Sequence, residues 1–466
     1  VKRNSEEEAH LTRLIKVITT RNIEEARQLI TEINNEEINA ADKNGNTALH
    51  LAAFEGHKEV CKLLIPKTNP ETINAADKNG NTALHLAAFG GHKEVCELLI
   101  PKMNPETINA TDEEGWIALH AAAFGGHKEV CELLIPKMNP ETINAADKNG
   151  NTALHLAAFE GHKEVCELLI NKMSPKAINA ADKDESTTLH KAAFGGYKEV
   201  CELLLHKMTL EAINAVGVDS WTALHKAAFG GHKEVCELLI LKMNPETINA
   251  VSRNGWTALH AAAFGGHKEV CELLINKMSP KAINAISSYG NTALHLAAEG
   301  EDKEVCKMLI GNMYIKHSMK LLKQSGNGSS IQKAISEIVA DFINGKFSSS
   351  EINPTDFTSY QVKLLKLYQV VDRNLLKPYL NEKKGNNLCV TVADNYIIKY
   401  YFMLIGVCKS VNEDNPISIL VNGDCMSHML SYLAPYSLCP ELFTPVELSG
   451  ESRGINSENE NDWILS

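Results

Sequence analysis

The stretch "NGDCMSHML" at 422–430 sets a thiol and an imidazole three residues apart, Cys425 and His428. At a helix start the dipole favours a thiolate, and a histidine one turn on could act as its base. Such a pair must converge in space and needs a third group to orient the imidazole. The bland alternative, a buried thiol and a surface imidazole, is the reading adopted. A second string, "GESRG" at Gly450–Gly454, matches the nucleophile-elbow pattern with Ser452 at its centre. It is rejected, because the elbow needs a strand before it, a helix after it, and an Asp and then a His downstream. No His follows Ser452. No phosphate loop, H-E-x-x-H or C-x-x-C string occurs.

The remaining candidates are periodic. Cys61, Cys96, Cys131, Cys166, Cys201, Cys236, Cys271 and Cys306 recur every 35 residues, and so do His50, His85, His120, His155, His190, His225, His260 and His295. Equivalent positions on stacked helices lie roughly 10 Å apart. Zinc bonds of about 2 Å cannot gather ligands from sites so spaced. A disulfide needs Cα atoms within roughly 7 Å. The thiols therefore read as small buried hydrophobes in a reducing compartment, and no metal or cofactor is expected. The histidines read as capping residues.

Those residues must be held by a repeated element. The Leu-His pairs from Leu49-His50 to Leu294-His295 mark eight units with a fixed step of 35, the signature of a solenoid. In the first unit "ADKNGN" is a polar turn, with Gly45 supplying the positive φ it needs. Thr47 caps a helix and His50 sits at its third position, as in a capping box with His in place of Glu. Ala52 and Ala53 let the neighbouring unit approach, and Gly56 ends the helix. A second helix is expected over His57–Lys67, with Val60, Cys61 and Leu64 on its buried stripe. Asn69 and Pro70 then suit the cap and first position of a short return helix.

The string "DKNGNTALHLAAFEGHKEVCKLLI" resembles the ankyrin repeat, and the resemblance covers residues 41–310. It departs from the family in having Ala for the Pro of "TPLH", with Thr188 in the fifth unit, and a longer return, "NPETINA". Near-identity between units is similar to the long ankyrin arrays of intracellular bacteria, some of which act inside a host cell. The resemblance implies an all-α solenoid with β-turn fingers and a concave groove that grips another protein. Residues 1–40, with helical spacing but neither the Gly turn nor "TALH", are read as an N-terminal capping repeat.

Where units differ is more informative than where they agree. The residue before the capping position is Trp116, Trp221 or Trp256 in three units and Asn or Ser elsewhere. Trp is a frequent interface anchor; the alternative is that each folds over its own finger. The residue after His is Lys191 and Lys226 in consecutive units and Leu or Ala elsewhere. Lys191, Trp221 and Lys226 would then form an aromatic-basic patch suited to an acidic or extended partner segment. These five are the candidate partner-binding residues. A ladder of Phe, from Phe54 to Phe264, is read as packing between units, against the sharper alternative of an apolar groove floor. Three units break the pattern: Ile117 cannot cap, and Glu185 and Ser220 stand where the turn wants Gly. The fingers at 181–221 are expected to be distorted or mobile.

Beyond a closing helix and linker at 311–330, the period is lost. Residues 331–447 read as a mostly helical domain and 448–466 as a disordered acidic tail. A net charge of −12 and the lack of a Lys/Arg run argue against a nucleic-acid partner. The longest apolar stretch, "YIIKYYFMLIGVC", is too short to span a bilayer. The function expected is non-enzymatic protein recognition by a cytoplasmic monomer, with delivery into a host cell implied by the bacterial resemblance. The alternative is an effector enzyme whose array selects a target for the C-terminal domain to modify.

Overall fold

The computed structural model describes residues 5–20, 22–313 and Ser336. Expectations for the closing helix, the C-terminal domain, the tail, Cys425, His428 and Ser452 lie outside these residues.

Units one to seven repeat one sequence of elements, and unit eight follows it as far as its second helix. A turn leads into a first helix, such as Ala48–Phe54 or Ala223–Phe229. A second helix follows, such as Lys58–Leu64 or Lys233–Lys242, and then a four-residue return helix, such as Pro70–Ile73. Among the described residues the only β pairing is isolated bridges across the turns, such as Ala41 with Thr47. Each first helix packs on the first helix of the next unit, and each second helix on the next second helix. Three helices at the N-terminal side, Ser5–Thr19, Ile23–Glu32 and Asn35–Ile38, follow the same order, and the first two pack on their counterparts in unit one.

Residue chemistry explains the element ends. Asn69 accepts from the Thr72 amide at 2.7 Å with Pro70 in the first turn, so the return helix begins there. The second helix of unit one is shorter than its spacing suggests. It stops at Leu64 and passes into a 3₁₀ turn at Ile65–Lys67, because Pro66 has no amide to donate. Unit four has Asn171 at the equivalent position, and its helix runs on through Ile170; the second helix of unit five reaches Lys207.

The core is a row of small and branched side chains shared between units. Ala52, Ala53, Cys61 and Leu64 are fully buried, as are their equivalents down the array. The eight repeat cysteines are free and buried. Burial pushes Cys61, Cys131 and Cys201 up to about 12, which keeps them as inert thiols.

The fingers of units five and six are not distorted. Glu185 and Ser220 adopt φ of 56° and 57°, the left-handed conformation in which Gly45 and Gly80 sit at 88° and 83°. The bridges Ala181 with Thr187 and Val216 with Thr222 form as elsewhere. The turn tolerates an L-residue by moving toward the αL minimum. Each finger also bonds the next through backbone, as Val218 N–H donates to the Asp184 carbonyl at 2.9 Å.

Candidate functional site

The surface formed by fingers and first helices is built on one recurring histidine. In unit two the Thr82 amide donates to His85 Nδ1 at 3.3 Å, while the His85 amide donates back to Thr82 Oγ1 at 3.4 Å. An Nδ1 that accepts carries no proton, so the neutral ring holds its proton on Nε2. That nitrogen donates 3.1 Å to the Trp116 carbonyl in the next finger. His190 and His225 do the same to Trp221 and Trp256. The capping histidine therefore also ties one unit to the next. Burial holds His120, His190 and His225 down at about 4 and lowers His85, so all stay neutral near pH 7. In unit three Ile117 supplies no side-chain cap, yet its amide still bonds His120 Nδ1 at 3.2 Å, and its own side chain is buried.

A second histidine works from the other side. His92 Nε2 donates 2.9 Å to the Phe54 carbonyl, and His232 Nε2 lies 3.0 Å from that of Phe194. The ring of His92 lies so close to Gly56 that a Cβ there would sit 2.3 Å from it. This is why the helix must end in Gly.

On this frame the three tryptophans fold back onto their own first helices and are half-buried. Trp116 lies 5.5 Å from Phe124 and donates from Nε1 to Asp147 Oδ2 of the next finger at 3.1 Å. Trp221 lies 5.8 Å from Phe229 edge-on and 6.5 Å from Trp256, on which it stacks. Trp256 lies 5.5 Å from Phe264. Units three and seven have Ala121 and Ala261, both buried, where four units have Leu, which leaves room for the indole. For Trp116 and Trp256 this pairing with Ala five residues on was visible in the sequence as a signal that the ring folds inward; Trp221, with Lys226 there, folds back without it.

The Phe ladder is not core. Phe54, Phe159, Phe194 and Phe264 are between 45% and 48% exposed. Phe89 stacks on Phe124 and Phe229 on Phe264, so these rings lie nearly parallel from unit to unit while one side of the ladder stays open. The ladder does pack from unit to unit, as expected, but its position at the end of the first helix places it at the margin of the stack and not inside it.

Three of the five candidate residues, Lys191, Trp221 and Lys226, line one open pocket of about 690 Å³. Phe159, Phe194, Phe229, Asp184 and Asp219 line it as well. Trp256 borders it through Trp221, and Trp116 stands apart in unit three. The two lysines differ. Lys191 Nζ pairs with the buried Asp182 carboxylate at 2.6 Å. Burial alone would raise the Asp182 carboxyl, but Lys191 and the Ser186 amide outweigh it and hold it below its usual range. Lys226 has no carboxylate partner among the described residues. Its Nζ lies 5.2 Å from the Trp221 ring centre and 5.8 Å from that of Phe194, within cation–π range. Burial, and then Lys191, lower its pKa.

This stacked frame of capped first helices, second helices and fingers has a known counterpart. The model for ankyrin repeats, three copies long, matches residues 11–112, 102–180, 173–250 and 240–320. The chain belongs to the ankyrin-repeat family. No curated protein matches it. Ankyrin repeats are general protein–protein interaction modules. Among the described residues this ankyrin array has no helix long and apolar enough to cross a membrane, and no cluster of three or more metal-ligating side chains.

Proposed function

We propose that this ankyrin array is a non-enzymatic recognition protein that binds another protein through the fingers and first helices of units five to seven. The observation that carries the reading is the pocket at Trp221 and Lys226. It falls where the units stop copying one another, and it combines open aromatic surface with a cation. Trp is among the side chains that most often anchor interfaces, and here it sits with exposed rings and a cation on a frame fixed by hydrogen bonds from unit to unit. The reading extends to a monomer in a reducing compartment, where eight unpaired thiols persist, with residues 1–40 as the cap of the stack.

Site-specific photo-cross-linking tests it. A benzoylphenylalanine in place of Phe194 or Phe229 should trap a discrete partner in cells that make the protein. The same probe in place of Glu237, exposed on a second helix, should not. Equal adducts from both faces, or none from Phe194 and Phe229, would overturn the assignment.

A further inference from the structure

The charges around the pocket do not balance in the way its geometry suggests at first sight. Asp219 is met by Arg253 of the next finger at 3.5 Å, and Lys191 is taken up by Asp182. Asp184 is exposed at its finger tip, where water satisfies it. Lys226 is the exception. It stands on a first helix, half-buried, one unit from Lys191, with two aromatic faces beside it. Rings attract an ammonium but accept no hydrogen bonds from it in the manner of a carboxylate oxygen. Asp219, Asp184 and Asp182 favour its charge only from beyond ion-pair distance. A half-desolvated cation with no carboxylate in contact is costly, and the cost is recovered when an anion arrives.

We infer that the pocket takes an acidic side chain, Asp or Glu, from an extended partner segment, with its carboxylate on Lys226 Nζ and apolar neighbours on the Phe194, Trp221 and Phe229 rings. This rests on the proposed use of this face for protein binding and names what it selects. The exposed Asp184 at the rim sets the rest of the preference. It repels a run of acids, so a single acid among apolar residues fits and a polyacidic tract does not. Six of the other units have Leu or Ala at the equivalent position, and in unit five Lys191 is already paired with Asp182, so none of them offers the same selectivity.

A peptide library displayed with free N-termini and fused C-termini offers only side-chain acids, and it can be selected on the full chain. Peptides recovered on the unaltered protein should share one Asp or Glu flanked by apolar residues. Changing that acid to its amide in a synthetic, C-terminally amidated peptide should weaken binding about tenfold or more. On K226M, which keeps the apolar stem, the apolar consensus should persist while the acid preference vanishes. On K226E the selected position should turn to Lys or Arg. An acid preference unchanged in K226M, or no acid preference at all, overturns the inference while leaving the face as a binding surface. Peptides that bind a W221A/F229A variant as well as the unaltered protein would instead overturn the use of this face.

Discussion

At the scale of single residues, the capping histidines do two tasks with one neutral ring, and this sets a pH dependence. Burial holds His120, His155, His190, His225, His260 and His295 at about 4 in the folded chain, below the ordinary 6.5. The unfolded chain therefore takes up protons first as the pH drops. Stability from these rings is fully present above about pH 6.5 and is lost as the pH falls toward about 4. Urea midpoints should be level from about pH 8 to 7 and then decline steadily down to about pH 5. His225→Gln should lower the midpoint at pH 8 and make the decline shallower by one group's share. A midpoint that stays level to pH 5 would contradict the neutral, Nε2-protonated ring. The Trp residues show the same economy of means. Trp116 and Trp256 fill the space that Ala121 and Ala261 leave, while Trp221 lies beside Lys226, and the polar indole edge reaches the next finger only where Asp147 is present to accept it.

At the scale of the element, the finger turn shows how a fixed geometry absorbs changes of residue. Glu185 and Ser220 sit at φ 56° and 57° in a turn built for Gly. Opposite Glu185 the next finger carries Gly217 where the first five units have Asp. An L-residue in the αL region costs about 1–2 kcal/mol, and Gly gives back part of that in unfolded-chain entropy. Glu185→Gly and Ser220→Gly should each stabilise the protein by up to about 1 kcal/mol in urea denaturation. A loss of stability would mean that these side chains make contacts that outweigh the strain. Helix types, caps and buried stripes were legible in the sequence because propensity, capping chemistry and period agreed over eight copies. The fingers of units five and six were not, since a rule about Gly says which residue is preferred but not how far φ can shift to accept another. The Phe ladder misled for a related reason. Regular spacing marks a side chain as facing along the stack, yet whether it lies inside or at the margin depends on helix length in three dimensions. The patch of Lys191, Trp221 and Lys226 was legible as a cluster, because 35-residue periodicity brings equivalent positions side by side. That Asp182 would neutralise one lysine and leave the other unpaired was not, because the choice between them is made by distance.

At the scale of the whole array, cohesion is the sum of its joints, and one joint lacks both histidine contacts where the two end joints each lack one. Between units two and three, three and four, five and six, and six and seven, both histidine contacts to the neighbouring backbone are present. Between units four and five neither is. Tyr197 stands where the second histidine would be, its ring over Gly161, and His155 Nε2 has no hydrogen-bond partner. The joint keeps its helix packing, the Lys183 amide bond to the Asn149 carbonyl, and the Asn179 side chain accepting from the Thr209 amide. In a stacked array each missing contact, at about 1 kcal/mol, lowers the coupling between the blocks on either side. We expect units one to four to unfold at a different urea concentration from units five to eight. The tryptophans report the two blocks separately, because Trp116 lies in unit three while Trp221 and Trp256 lie in units six and seven. With Trp463 changed to Phe throughout, a W221F/W256F chain follows the first block and a W116F chain the second. Their midpoints should differ in the otherwise unaltered protein and draw together when Tyr197→His restores the contact to the Phe159 carbonyl. Coincident midpoints before that change would show that packing alone couples the blocks and that the joint is no weaker than its neighbours.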